Sequence, residues 1–89
     1  MYIIFVQAIN VKQIYTQMQV DAREILFIRK NAPHGMFKTL ANNIGMKYSK
    51  VRAEIFTLKE DYPDMLVNEA RRLLEANTGL VYNPNEVAA

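Results

Sequence analysis

Between Asp21 and Gly79 the chain is cut at short intervals by residues that stop a helix, and this punctuation constrains the fold more than any other feature. Asn31, Pro33 and Gly35 close one stretch, Gly45 a second, the run around Pro63 a third, and Thr78-Gly79 a fourth. Proline lacks the amide that continues a helix, and glycine accepts the left-handed backbone on which helices commonly end. The pieces in between carry apolar residues three and four apart, the spacing of one face of a helix. Short amphipathic helices must pack on each other. The expected fold class is therefore mainly α, a small bundle of four to five helices in a single domain over residues 1–89.

Individual signals place the elements. Asp21 followed by Glu24 predicts a capping box, with Ile25, Leu26 and Ile28 as the stripe of a helix reaching Lys30. The next helix is expected from Gly35 or Met36 to Asn43, with Phe37, Leu40, Ala41 and Ile44 inward and Gly45 as its stop. Ser49 precedes a further pattern in which Val51, Ile55 and Leu58 recur, so that helix is expected over about residues 48–59. The segment 60–64 breaks the chain and restarts it at proline. The last long helix presents Leu66, Ala70, Leu73 and Leu74, with Arg71 and Arg72 towards its exit and Leu80 folding back after the cap.

Upstream, Asn10 predicts the cap of a helix from Val11 to about Gln19, with Val11, Ile14, Tyr15 and Met18 on one face. The run Tyr2–Val6 is apolar, β-branched and aromatic, and reads as a short strand, buried or paired with a partner. Leu80-Val81-Tyr82 is a candidate second strand beside it. Residues 83–89 are expected to form a disordered tail.

Composition narrows the function classes. The chain has no cysteine and one histidine, His34, in a Pro-His-Gly turn, which argues against a zinc site. There is no glycine-rich phosphate loop, nucleophile arrangement or cofactor fingerprint, and Asp61 and Asp64 read as caps around Pro63. The expectation is a protein that is not an enzyme, with no metal and no small-molecule cofactor. The run Tyr2–Val6 is too short to span a bilayer and lacks a basic leader, so no membrane and a cytoplasmic location are expected.

Charge is distributed unevenly. The formal net charge is only +2. Residues 23–59, however, hold eight basic residues (Arg23, Arg29, Lys30, Lys38, Lys47, Lys50, Arg52, Lys59) against two acidic ones, a net of +6. From Glu60 onward the balance is −4, two basic residues against six acidic. Such asymmetry suits a protein that turns one face to a polyanion. Arg29 and Lys30 sit where cations offset a helix dipole, and that role is favoured for them.

The stretch Leu40-Ala41-Asn42-Asn43-Ile44-Gly45-Met46-Lys47-Tyr48-Ser49-Lys50-Val51 lies inside the basic region. It offers what a tight two-helix corner needs: Ala41 where the helices approach, Gly45 to reverse the chain, and Val51 as the apolar wedge. The order of residue types over Phe37 to Phe56 resembles the helix-turn-helix family, in particular phage-repressor-like and Cro-like DNA-binding domains, with a core over residues 36–59. In that family the second helix enters the major groove and the first crosses the backbone. Carried over by position, the resemblance implies DNA contacts from Lys47, Tyr48, Ser49 and Lys50, from Arg52, Ala53 and Phe56 one turn on, and from Lys38 on the preceding helix. Two residues depart from the pattern. Lys47 stands where a serine or threonine usually caps the second helix, and Glu54 places an acid in the reading helix.

The side chains suit that role. Arg52 can fork onto a guanine edge, Ser49 can donate to a phosphate or base, Tyr48 can donate its hydroxyl, and Lys47 and Lys50 can neutralise phosphate. The expectation is sequence-specific binding of double-stranded DNA by a small transcriptional regulator. A homodimer is expected, joined through the last long helix, the amino-terminal run or both, with the alternative that the last helix simply completes the monomer core. The rival reading is a protein-interaction module in which the basic residues only confer solubility.

Overall fold

The computed structural model describes residues 16–87. The run Tyr2–Val6 and most of the helix expected over 11–19 lie outside these residues. In chain order the elements are β1 (Gln17–Gln19), α1 (Ala22–Asn31), α2 (Met36–Ile44), α3 (Tyr48–Ile55), β2 (Asp61–Pro63), α4 (Asp64–Thr78) and the single turn α5 (Pro84–Val87). The protein is mainly helical, with one short antiparallel two-stranded sheet. Among the described residues no helix is long and apolar enough to cross a membrane.

The helix α4 is the spine. Its Leu66, Val67, Ala70, Leu73 and Leu74 are all buried within this one chain, so the stripe completes the monomer core and is not available to join a twin subunit. Against it pack Ile28 of α1, Met36, Leu40 and Ala41 of α2, Met46 of the turn, and Val51 and Ile55 of α3. Burying a leucine or isoleucine of this kind stabilises the fold by about 1.5–3 kcal/mol. A second, smaller cluster of Val20, Ile25, Tyr62 and Val67 fastens the sheet to the helices.

That sheet corrects the helix expected to reach Gln19. Gln17, Met18 and Gln19 pair with Pro63, Tyr62 and Asp61, and two further backbone bonds extend the ladder, from Val20 N to Glu60 O at 3.1 Å and from Asp64 N to Thr16 O at 2.7 Å. Helical spacing in the sequence is a local signal, whereas this strand is held by a partner more than forty residues away.

Other boundaries shift for identifiable reasons. The helix expected over 48–59 ends at Ile55, so Leu58 leaves the stripe and lies exposed. The fully buried Tyr62 captures the chain beyond it, accepting from Lys59 N and donating to Thr57 O, both at 3.0 Å. The capping box at Asp21 is half formed: the Asp21 carboxylate accepts from Arg23 N at 2.9 Å, but Glu24 turns inward to Arg71 instead of back to the cap. Leu80-Val81-Tyr82 form no strand, and Leu80 does not tuck under Gly79 but remains exposed. Tyr82 instead sets its ring edge-on to Phe27, 5.6 Å between centroids, and donates to Asp21 at 2.9 Å. Pro84–Val87 forms one helical turn where a disordered tail was expected.

Candidate nucleic-acid interface

The corner between α2 and α3 follows from three residues. Gly45 holds φ at +73°, the left-handed region in which a side chain is strained, and Met46 N–H reaches back to Ala41 O at 3.0 Å. Ala41 is small enough for the close packing of α2, and Val51 and Ile55 are fully buried beneath α3. Asn43 fixes α2 to α4 by donating to Glu69 at 2.7 Å. The joint is thus anchored on its buried side by the core and by α4.

At 100° per residue, burying Val51 and Ile55 points Ser49 and Ala53 straight outward, sets Tyr48 and Arg52 on the shoulder next to α2, and sets Lys50 and Glu54 on the other shoulder. The outward line therefore carries two small residues with a cation on each side. Lys47, Tyr48, Ser49, Lys50, Arg52, Ala53 and Phe56 are all exposed, as is Lys38 on α2. The helix begins at Tyr48 with Lys47 as its cap residue and has no side-chain cap. Lys47 contributes its carbonyl to the first turn, accepting from Lys50 N and Val51 N at 3.0 Å, and its ammonium remains in solvent.

The expected residues divide into two sets. Lys38, Tyr48, Arg52 and Phe56 meet: the Lys38 ammonium lies 5.7 Å from the Tyr48 ring centre, and the Arg52 guanidinium lies 5.9 Å from Tyr48 and 5.1 Å from Phe56. Phe37 supports the row with an edge contact to Phe56 at 5.9 Å. Each exposed cation–ring contact is worth about 0.5–1 kcal/mol, enough to bias a long side chain towards one orientation. Among the described residues, Lys47, Ser49, Lys50 and Ala53 make no such contacts, and all four are exposed. Pro33, His34, Gly35, Phe37 and Lys38 join Tyr48, Arg52 and Phe56 around an open hollow of about 420 Å³ that contains no carboxylate.

Glu54, the one acid of α3, is engaged by Lys59, so its charge is countered by a neighbouring side chain. Sequence reasoning also left out Arg29. It lies in the last turn of its own helix, as expected, and from there its guanidinium also lies 4.8 Å from the Phe56 ring centre, at the end of α3. The sequence held a partial signal for this, a cation in the last turn of the helix directly before the corner.

Among the described residues, Arg23 and the two arginines of α4 are paired. Arg71 donates to Glu24 from Nε and Nη2 at 2.7 and 2.8 Å, and this bonding raises the Arg71 pKa. Arg72 pairs with Glu69, whose carboxyl is pulled down to about 2 chiefly by that hydrogen bond. Arg23 pairs with Asp21, which is likewise lowered to about 2 by the Arg23 side chain. Among the described residues, Arg29, Lys30, Lys38, Lys47, Lys50 and Arg52 have no carboxylate partner, and Arg23, Lys59, Arg71 and Arg72 each have one. No protein-family model, curated protein or solved structure matches the chain.

Proposed function

We propose that this protein is a sequence-specific binder of double-stranded DNA, of the helix-turn-helix kind, that lays α3 in the major groove and acts as a small transcriptional regulator. The observation that carries the proposal is the separation of the cations. Among the described residues, six cations have no carboxylate partner, and five of them, Arg29, Lys38, Lys47, Lys50 and Arg52, lie on or against the α2–α3 corner. Cations left without internal partners are free to replace the counterions of a phosphate backbone.

The roles follow from position. Ser49 and Ala53 on the outward line allow the helix to approach the base edges closely, and the Ala53 methyl can meet the methyl of thymine. Arg52 reaches a guanine edge from one shoulder, while Lys50 and Lys47 meet phosphates on the other shoulder and at the helix start. Lys38 meets the backbone beside α2. The function is one of binding, with no step of chemistry assigned to any residue. A single corner makes few base contacts, so the proposal includes two-fold pairing that sets two corners on successive major grooves roughly 34 Å apart.

The test is a fluorescence titration against duplex DNA at two salt concentrations. With six phosphates neutralised, affinity falls by about a thousandfold or more between 50 and 200 mM salt. Absent binding, or binding indifferent to salt, would remove the proposal.

A further inference from the structure

Five side chains from three helices form one alternating row: Lys38, Tyr48, Arg52, Phe56 and Arg29. The last of them comes from α1, outside the two-helix corner. Arg29 lies in the last turn of α1 next to Lys30, where a cation ordinarily offsets the helix dipole. Lys30 extends into solvent, whereas Arg29 is half-buried and shares the ring of Phe56 with Arg52, at 4.8 and 5.1 Å. Neither guanidinium has a carboxylate partner among the described residues. Phe56 is braced in turn by the edge of Phe37.

We propose that Arg29 is a second DNA-binding guanidinium, and that Phe56 is the positioning residue that holds both Arg29 and Arg52 towards the duplex. The proposal rests on the DNA-binding function above and adds a residue, an element and a division of labour. A guanidinium attracted to an aromatic ring keeps its N–H fork available for hydrogen bonds. Arg29, set beyond the carboxyl end of α3 and away from the outward line of Ser49 and Ala53, meets a backbone phosphate. Arg52, within the helix, meets a base. Holding both before DNA arrives reduces the ordering that binding must impose on two long side chains.

The test uses the full chain and duplex DNA carrying its preferred sequence, obtained by binding-site selection. Affinity is measured over a range of salt for the native protein, Arg29→Gln, Arg29→Lys, Phe56→Leu and Phe56→Tyr, with a thermal melt of each. Arg29→Gln should lower the log–log salt slope by about 0.9 per subunit bound, one phosphate each and so about 1.8 for the two-fold pair, and weaken all sequences alike. Arg29→Lys should retain that slope. Phe56→Leu should lose several-fold in discrimination between preferred and random sequence while melting close to the native temperature, and Phe56→Tyr, which keeps the ring, should retain discrimination. An unchanged slope in Arg29→Gln, in a chain that does bind DNA, overturns the role of Arg29 and leaves the DNA-binding function standing. Equal discrimination in Phe56→Leu and native protein overturns the positioning role. Failure of the native chain to bind duplex DNA overturns both, as does a preference for duplex RNA, whose narrow major groove excludes a helix.

Discussion

The α1–α4 face and the α2–α3 corner use the same basic residue types to opposite ends. On the first, Arg71 is held in a two-bonded pair by Glu24, and within α4 itself Arg72 is held by Glu69. On the second, Lys38, Lys47, Lys50 and Arg52 are exposed and have no carboxylate partner among the described residues, and Lys38 and Arg52 lie over aromatic rings. A paired cation contributes to the fold and has its charge cancelled locally. An unpaired one contributes little to stability but keeps its field. Charge counted along the sequence does not separate these cases, and the partners do.

Substitutions in each region would break or sharpen this contrast. The largest effect belongs to the frame beneath both regions. Leu40→Ala, at a fully buried position between α2 and α4, should cost about 2–5 kcal/mol in chemical denaturation. A smaller loss would mean that the corner is less firmly anchored than its burial indicates. Gly45→Val comes next, at about 1–3 kcal/mol, because a β-branched residue is strained at φ +73° even though the space around the position is open. A variant melting at the native temperature would show that the turn does not need its glycine.

Arg52→Ala is the first direct trial of the contrast. Stability should fall by no more than about 1–2 kcal/mol, the worth of its two ring contacts, while base preference at one position of the selected site relaxes by about 1–3 kcal/mol. Lys47→Ala should instead weaken every sequence alike. Glu24→Gln is the mirror case. Arg71 is partly exposed and can turn to water, so the loss should be about 1 kcal/mol of stability, with DNA affinity unchanged. Reduced affinity in Glu24→Gln would show the two regions to be coupled.

The smallest effect is a pH dependence. The carboxyls of Asp21 and Glu69 are lowered to about 2 from ordinary values of 3.8 and 4.5. A carboxyl depressed in the folded state stabilises it above the unfolded pKa, and that contribution fades as pH falls from about 4.5 towards 2. The melting temperature of Asp21→Asn/Glu69→Gln should therefore fall less between pH 6 and pH 2.5 than that of the native chain. Equal falls in the two proteins would assign the acid sensitivity to other groups.

What could be read from the sequence follows the range of each interaction. Stops made by one residue were legible, and Gly45 and Gly79 both take positive φ at the ends of α2 and α4. The stripe of α4 and the wedge at Val51 were legible because apolar period and burial coincide. Gln17–Gln19 was not, since its strand depends on Asp61–Pro63, a pairing that local spacing does not encode. Leu58 was misplaced because the hydroxyl of Tyr62 ends the helical path early. Glu24 satisfied the capping pattern yet serves Arg71, forty-seven residues away. The eight residues of the corner named from the sequence are all exposed, but the cation–ring row that groups four of them, and that brings in Arg29 from α1, emerges only once three helices are packed together.

The most direct measurement is a map of backbone amide shifts as duplex DNA is added to the labelled protein at low salt. The cations without partners should mark the contact, so the largest changes are expected at Arg29, Lys38 and residues 47–56, with Arg23, Arg71 and Arg72 unmoved. Changes centred on α4, or none at any residue, would contradict the claim that partnerless cations define the working face of this protein.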